Sequence, residues 1–414
     1  MLRRFRVNNF KSLLNVEFSP SGINLLVGPN NAGKTNLCTA LRMAGLSSKQ
    51  TLDAAALGAI GERWNLTNFY VAGKKETEFE IVAVLKHENK PPYDLFVQRM
   101  EEITFSYSLK LKTARTDKVA AESLSVQEEV LKASSGTGHS RFTDTVLLEN
   151  RDGQVRMLHE EGFARGRSDS PFYVEARAPV NATMLSQLYE LENNPRAILF
   201  RKYLQSWSYY NFSPENLRQP DVARDDGTLS PSGTNLSRVL FDLHNERPRL
   251  ERKLLDTAKS VEPKLDLLSY SSPDPEHVHV FFEDLKGNRV SARSASDGTL
   301  RFMAIAYVIL YAAQISDSEG FAPLVIVEEP ENGLFVRLLK PLIEQISPTG
   351  EDGQFIFTTH SPYFIDLFDA NLTGIHVFSP GSPSSIVSRP NTESVKRLLD
   401  QMPLGEIYFH DLLK

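Results

Sequence analysis

An apolar run that ends in a glycine-bracketed loop, residues 23–36, constrains the fold of this chain more than any other stretch. The spacing G-x-x-x-x-G-K-[ST] is met by four residues: Gly28, Gly33, Lys34 and Thr35. A strand pattern precedes the loop and a helix pattern comes after it, as a phosphate-binding loop requires. Lys34 adds a cation at the outer phosphates, and the Thr35 hydroxyl can bind Mg²⁺. The stretch therefore predicts a nucleotide-binding α/β protein; the alternative is a glycine-rich turn with a chance Lys-Thr.

Length and charge limit the classes of protein that this chain can belong to. Its 414 residues predict two domains, or one domain with a large insertion. The net charge is −6, so no global positive field attracts nucleic acid, and any DNA contact must be a local patch. The single cysteine, Cys38, excludes an internal disulfide. The longest apolar run, Phe302–Ile315, suits a buried helix better than a membrane span, and no signal-peptide pattern is seen, so we expect a cytoplasmic protein.

Strand and helix patterns predict a split core with two inserted segments. Apolar runs predict strands before the loop and at Phe79–Leu85. Two continuous apolar runs, Pro323–Val327 and Gln354–Thr359, predict strands that are buried on both faces. Helical spacing is expected over residues 183–208 and 233–268, interrupted at Pro195 and Pro248, and strand signals return after about Pro275. The predicted domains are a discontinuous core at 1–85 and 271–414, a strand-rich insertion with mobile loops at 86–182, and a helical lobe at 183–270.

Two acidic residues, Glu328 and Glu329, stand directly after one of the buried strands. Ligands bind at the carboxyl ends of strands in parallel sheets, so Glu328 with Thr35 is a candidate Mg²⁺ site. Glu329 faces differently and is a candidate to polarise the attacking water in phosphoryl transfer. A solvated acidic turn is the alternative for this pair. His360, at the end of the next strand, could contact the γ-phosphate or its water, or could serve only as a structural hydrogen-bonding residue.

A third motif, Ser296-Asp-Gly298, precedes the long apolar helix. Serine and glycine at a helix N-terminus can bind an anion through free N–H groups and the helix dipole. Serine and aspartate are also common N-caps, so a plain helix cap is the alternative.

The order of these motifs resembles the ATP-binding-cassette (ABC) ATPases, specifically the branch that contains the SMC and RecF proteins and the ATPase module of the overcoming-lysogenization-defect (OLD) family. Within residues 1–85 and 275–375, Asn9-Phe10-Lys11-Ser12 is similar to the opening of that branch, and Glu328–Leu334 looks like its acidic motif. Two further stretches look like the middle of small stand-alone members: Pro214–Pro220 and Gly233–Leu236.

The resemblance implies an ABC-type P-loop fold, with a mixed or parallel sheet and a helical lobe, that binds ATP and Mg²⁺ between two copies of the chain. One copy's loop would hold ATP and the other's Ser296 and Gly298 would complete the γ-phosphate site, giving a homodimer or a higher homo-oligomer. The nucleotide-binding residues carried over are Gly28, Asn30, Asn31, Gly33, Lys34, Thr35, Asn36, Ser296 and Gly298. Two positions depart from the family pattern: Glu328 replaces a common Asp, and Phe335-Val336 replaces a common His-Pro.

Too few residues come after His360 for the TOPRIM nuclease that OLD proteins carry at the C-terminus. The resemblance therefore implies an ATPase whose nucleotide-driven assembly regulates a separate effector, with a nuclease expected, or DNA engagement, in bacterial defence against phage. Two alternatives stay open. One is a nucleotide-gated sensor or scaffold with little turnover; the other is a transporter subunit, which the long insertion and the opening motif disfavour. We expect no membrane partner.

Two groups of cations on the predicted helices could form a basic face for DNA. They are Arg196, Arg201 and Lys202, and then Arg247, Arg249, Arg252 and Lys253. Such faces are more often only solvated.

Overall fold

Three β-sheets and the helices packed against them make up the described part of the chain. The computed structural model describes residues 1–61, 66–67, 76–86, 102–115, 122–135, 145–160, 172–188, 194–219, 227–274 and 277–413. Of the insertion predicted at 86–182, with its expected mobile loops, residues 87–101, 116–121, 136–144 and 161–171 lie outside the described residues.

The first sheet has eight antiparallel strands. Those strands are β1 (Leu2–Asn8), β2 (Val16–Phe18), β4 (Glu76–Lys86), β5 (Glu102–Arg115), β6 (Glu122–Ser135), β7 (Thr145–Arg151), β8 (Gln154–His159) and β9 (Phe172–Arg177). Their order is β2-β1-β4-β5-β6-β7-β8-β9. The strand-rich segment predicted at 86–182 therefore continues a sheet that the N-terminal strands begin, and the division of the chain into domains stays a prediction.

The second sheet carries the predicted phosphate loop. Its strands are β3 (Ile23–Val27), β10 (Ser208–Tyr210), β14 (Leu324–Glu328), β15 (Gln354–Thr359), β16 (Ile375–Ser379) and β17 (Ile386–Ser388). They lie in the order β10-β14-β15-β3-β16-β17, and every neighbouring pair is parallel except β16–β17. A third, antiparallel sheet contains β11 (Leu265–Asp274), β12 (His277–Asp284) and β13 (Arg289–Ser291).

The helices of the described residues are distributed between the strands. They are α1 (Lys34–Ser47), α2 (Leu52–Ile60), α3 (Met184–Gln187), α4 (Pro195–Gln205), α5 (Pro214–Leu217), α6 (Leu236–Glu246), α7 (Pro248–Val261), α8 (Asp297–Glu319), α9 (Lys340–Glu344), α10 (Pro362–Ile365), α11 (Thr392–Leu399) and α12 (Leu404–Phe409). Short 3₁₀ turns occupy Ala292–Ser294, Val336–Leu338, Asp366–Phe368 and Leu372–Gly374.

The register of the central sheet brings three strand ends to one edge. Val27 pairs with Thr359 across β3 and β15, and Glu328 pairs with Thr358 across β14 and β15. All residues of these three strands are buried, as the continuous apolar runs predict. The loops that leave the carboxyl ends of these strands therefore lie side by side.

Two hydrophobic cores lie on opposite faces of this central sheet. Along β3, Leu26 belongs to the core that contains α1, whereas Leu25 and Val27 belong to the core that contains α8. The same alternation holds along β14 and β15, because successive side chains of a strand point to opposite faces. The loop helix α1 and the long helix α8 are thus held on opposite sides of one rigid layer.

The predicted helices are confirmed, with differences at their ends. Pro195 and Pro248 each occupy a first-turn position of a helix, where the missing N–H costs nothing. The helix expected after the loop is α1, whose first turn starts directly at Lys34. The helical prediction for residues 265–268 is wrong. These residues open β11, whose antiparallel pairing with β12 overrides a short helical pattern.

Helix α8 contains the apolar run Phe302–Ile315. Taken alone, it is the one helix in the described ranges that is long and apolar enough to cross a membrane. Most of its apolar stretch is buried, including Phe302, Met303 and Ile305. The prediction of a buried core helix is confirmed.

We expect Phe357→Ala to lower the free energy of unfolding by about 3–5 kcal/mol, because a fully buried ring would leave a cavity. Phe357 is 0% exposed and contacts Phe355, Phe364 and Phe368. The matched control is Phe409→Ala, at a ring that is 76% exposed, with an expected change within about 0.5 kcal/mol. Chemical denaturation followed by circular dichroism measures both; equal losses would contradict this packing.

Candidate nucleotide-binding site

The loop after β3 has the backbone of a phosphate cradle. Gly28, Asn31 and Gly33 have positive φ values of 148°, 61° and 104°. A Cβ atom on Gly28 would lie 2.2 Å from the carbonyl oxygen of Phe378, and one on Gly33 would lie 2.3 Å from Ser385 Oγ. Both glycines are therefore required by conformation and by space. Asn30 and Asn31 are exposed to solvent.

Lys34 points into the loop that precedes it. Its Nζ donates to the carbonyl oxygens of Gly28, at 2.6 Å, and Pro29, at 3.1 Å. Burial lowers the pKa of the Lys34 amine to about 8, partly offset by the charge of Glu329. The amine stands where a phosphate-binding loop holds the outer phosphates, with only neutral carbonyls as its oxygen partners.

His360 joins Lys34 to Glu329. Its Nδ1 lies 3.4 Å from Lys34 Nζ, and its Nε2 lies 3.2 Å from Glu329 Oε1. When Nδ1 accepts from the ammonium group, Nε2 carries the proton and donates to the carboxylate. The structure thus brings together three residues that the sequence singled out on three separate stretches.

The Glu328 side chain is buried and contacts Tyr209 and Asn211, whereas Glu329 contacts His360. Glu328 Oε2 accepts hydrogen bonds from the Tyr209 hydroxyl, at 2.9 Å, and from Asn211 Nδ2, at 3.4 Å. Its Oε1 is buried and has no hydrogen-bond partner among the described residues. Burial raises the pKa of the Glu328 carboxyl, while the neighbouring Tyr209 and Thr35 side chains oppose the rise.

The surroundings of Glu328 fit Mg²⁺. An unpaired buried carboxylate oxygen beside the Thr35 hydroxyl offers the hard oxygen ligands that Mg²⁺ takes, with phosphates and water completing the shell. Within the described ranges, no group of three or more His, Cys, Asp or Glu side chains could hold a metal alone. Thr35 and Glu328 would therefore fit an ion that also binds phosphates and water.

The backbone of Glu329 is in the left-handed region, and this conformation sets the direction of its side chain. Its φ is 44°, which is uncommon outside glycine. Its N–H donates to Thr358, and its carbonyl accepts from Arg301 Nη1 at 3.1 Å. Its Oε2 accepts from Asn332 Nδ2 at 2.5 Å. Adjacent glutamates therefore occupy different environments, one buried against α1 and one half-exposed at the loop.

Ser296 and Gly298 lie at the start of α8, away from the loop. Ser296 Oγ accepts from the Thr299 N–H at 3.0 Å, as an N-cap does. Both residues line a cavity of about 430 Å³ together with Gly333, Leu334 and Phe335, and no phosphate-loop residue lines it. Within one copy, these two residues do not complete the site around Lys34.

Sequence reasoning missed several residues that shape the site. Tyr209 and Asn211 bind Glu328, Arg301 holds the Glu329 backbone, and the half-buried Glu331 accepts from the Thr359 hydroxyl. The aromatic run Trp207-Ser-Tyr-Tyr is the one signal for the edge strand that brings Tyr209 there, since aromatic residues favour strands.

Asn36, in the first turn of α1, forms a hydrogen bond to the opening motif. Its Nδ2 donates to Ser12 Oγ at 2.7 Å, and Ser12 Oγ lies 2.8 Å from Ser385 Oγ. The opening motif Asn9–Ser12 is thereby tied to the helix that comes after the phosphate loop. Asn36 contributes a structural contact at this position.

The first group of predicted surface cations does not form a basic face. Arg196 is 4% exposed and pairs with Glu160, Arg201 donates to the Leu188 carbonyl, and Lys202 pairs with Glu319. In the second group, Arg249, Arg252 and Lys253 are exposed on α7, and Arg247 donates to Gln314.

Comparisons with known proteins agree with this geometry. A family model described as "AAA domain, putative AbiEii toxin, Type IV TA system" matches residues 23–366. A solved SmcHead bound to the C-winged helix domain of ScpA is 14% identical, with a TM-score of 0.51, covering 96% of this chain and 99% of that one. A Smc head with an extended coiled coil, bound to the C-terminal domain of ScpA derived from Pyrococcus furiosus, is 13% identical, with a TM-score of 0.47 and coverages of 97% and 98%. No curated protein matches this sequence.

The family model covers most of the chain, and the first of these structures shows the same fold from end to end. The OLD proteins are not singled out by these matches. The chain belongs to the family described as AAA domain, putative AbiEii toxin, and it has the SMC-head-like fold of an ABC-type P-loop ATPase.

Proposed function

We propose that this chain binds ATP with Mg²⁺ between two copies of itself and hydrolyses it to ADP and phosphate. The observation that carries the proposal is the contact of His360 with both Lys34 and Glu329 at adjacent strand ends. It joins a phosphate-binding cation to a half-exposed carboxylate, which are the two groups that phosphoryl transfer to water requires.

The nucleotide would be held mainly by the loop. Backbone N–H groups between Asn30 and Thr35 would surround the phosphates, and Lys34 would exchange its carbonyl partners for phosphate oxygens. Thr35 and Glu328 would hold Mg²⁺, which neutralises phosphate charge when bound. The buried, unpaired Glu328 Oε1 supports this assignment.

Glu329 is the proposed general base. Water would form a bond to the γ-phosphorus as the bond to the bridging oxygen breaks, and Glu329 would accept the water proton. His360, which contacts the Glu329 carboxylate, would keep that carboxylate near the γ-phosphate.

A second copy is proposed because one copy leaves the site open. Ser296 and Gly298 line a separate cavity, with N–H groups at the start of a 23-residue helix. Such a terminus attracts anions through its free N–H groups and dipole. Facing the loop of another copy, it would contact the γ-phosphate, so that ATP links the two chains.

The proposed output is control of a separate effector, a nuclease being the expected class, or of DNA engagement in defence against phage. This part rests on the sequence resemblance; the solved SmcHead, a distant structural relative, is itself bound to a domain of ScpA. Comparing the proteins isolated with the ATP-bound and nucleotide-free chain tests it.

A nucleotide-gated sensor with little turnover is the second candidate. Both oxygens of Glu329 are already bonded, to His360 and to Asn332, which leaves the carboxylate less free to accept a proton. Steady-state phosphate release near zero, with ATP-driven association retained, would favour this candidate over an active ATPase.

We expect Glu329→Gln to slow ATP turnover by about 10²–10⁴-fold, because an amide cannot accept the water proton. ATP-bound dimers should then accumulate. Phosphate release and light scattering measure the two effects. The control is Glu344→Gln, at a side chain that is 64% exposed and remote in sequence from the loop. If turnover and association match the control, the assignment of Glu329 is wrong.

We expect ATP affinity to fall as the pH rises above about 8, by up to about tenfold per pH unit. The pKa of Lys34 is about 8 in the free protein and should rise towards 10.5 beside phosphates, so binding requires uptake of a proton in this range. Calorimetry at pH 9 in two buffers of different ionisation enthalpy measures that uptake. Lys34→Arg, which stays charged, should show no such uptake; absence of uptake in the native chain would contradict the prediction.

A further inference from the structure

An acidic residue stands inside the proposed γ-phosphate contact. Asp297 lies between Ser296 and Gly298 and is the first residue of α8. Its side chain is 49% exposed, and the residue lines the same cavity as Ser296 and Gly298. A carboxylate at a helix N-terminus is stabilised by the dipole, and it repels a second anion that approaches the same terminus.

Arg218 meets this carboxylate. Its Nη2 forms an ion pair with Asp297 Oδ1 and donates to the carbonyl oxygen of Ala295 at 2.7 Å. The guanidinium therefore contacts the chain on both sides of Ser296. It supplies the opposite charge to Asp297 and holds the loop that presents the Ser296 hydroxyl.

Close packing fixes the chain next to Arg218. Arg218 ends the short helix α5, whose Leu217 is 1% exposed. Gly233 has φ of 80°, and a Cβ atom on it would lie 2.4 Å from Leu217 Cδ2. The two mid-chain motifs, which have no part in the proposed catalysis, thus pack together at Leu217, the residue that precedes Arg218.

The residues just before Arg218 contact Glu328 directly and Glu329 through Arg301. Tyr209 and Asn211 bind Glu328, and the carbonyl of Phe212 accepts from Arg301, which also binds the Glu329 carbonyl. Residues 209–218 therefore connect the metal-binding end of one copy to the Ser296 loop of that same copy.

We propose that Arg218 is a positioning residue for the Ser296–Gly298 motif, an inference that rests on the proposed function. By neutralising Asp297 and fixing the Ala295 carbonyl, it makes the α8 terminus able to receive the γ-phosphate bound to a second copy. It acts through the motif and does not touch the nucleotide.

The test measures ATP-driven association in the Glu329→Gln background, by sedimentation at several protein concentrations. Arg218→Ala should weaken association by about tenfold or more, because an uncompensated Asp297 then faces the phosphate. Arg218→Ala with Asp297→Asn should restore most of it, since both charges are removed. A purely structural role for Arg218 would not be rescued by removing the acid.

Two further variants test whether a loss of association results from misfolding. Arg218→Lys keeps the charge and should retain most of the association, and Arg249→Ala, at an exposed cation on α7, should have no effect. Binding of a fluorescent ATP analogue to isolated copies should be equal in all variants, because each keeps its own phosphate loop.

The outcomes separate this inference from the proposed function. If the Glu329→Gln chain does not form dimers when ATP is added, the two-copy site is refuted. If that chain associates while Arg218→Ala associates equally well, or while the double variant stays as weak as Arg218→Ala, Arg218 does not act by neutralising Asp297. A loss of association in Arg218→Lys as large as that in Arg218→Ala, with the fold intact, would overturn the inference as well.

Discussion

The parallel register of β3, β15 and β14 is the constraint on which the site depends. Because Val27, Thr359 and Glu328 end neighbouring strands, Lys34, His360 and Glu329 emerge at one edge of the sheet within hydrogen-bonding reach. A shift of one residue in either pairing would turn every side chain of that strand to the opposite face and exchange its contacts with the two cores. The buried apolar character of all three strands is what makes such a shift costly.

The electrostatic state of the site is a consequence of that burial. Lys34 is less basic than a free lysine and Glu328 is less acidic than a free glutamate, since each is partly removed from water without a full counter-charge. A phosphate group would give the amine its anion, and a divalent cation would give the carboxylate its partner. Both shifts therefore point to the same kind of ligand, although they arise on different strands.

Residues 209–218 contact both the Glu328 carboxylate and the first residues of α8. One end of this stretch binds Glu328, the middle accepts from Arg301, and the far end holds Asp297. Helices α1 and α8 belong to separate cores on opposite faces of the central sheet. This short segment is bonded both to Glu328 at the end of β14 and to Arg301 and Asp297 on α8.

The sequence by itself determined the phosphate loop, the buried strands, the acidic pair and the long core helix, because glycine spacing and apolar periodicity are local signals that dihedral preference and burial enforce. It did not determine that Asn36 supports the loop through Ser12, that Arg196 is buried in an ion pair, or that residues 265–268 form a strand. The tertiary structure decided these, together with the roles of Tyr209, Asn211, Arg218 and Arg301. Each depends on a partner remote in the chain, and a side chain's partner is set by sheet order and packing, which no local pattern records.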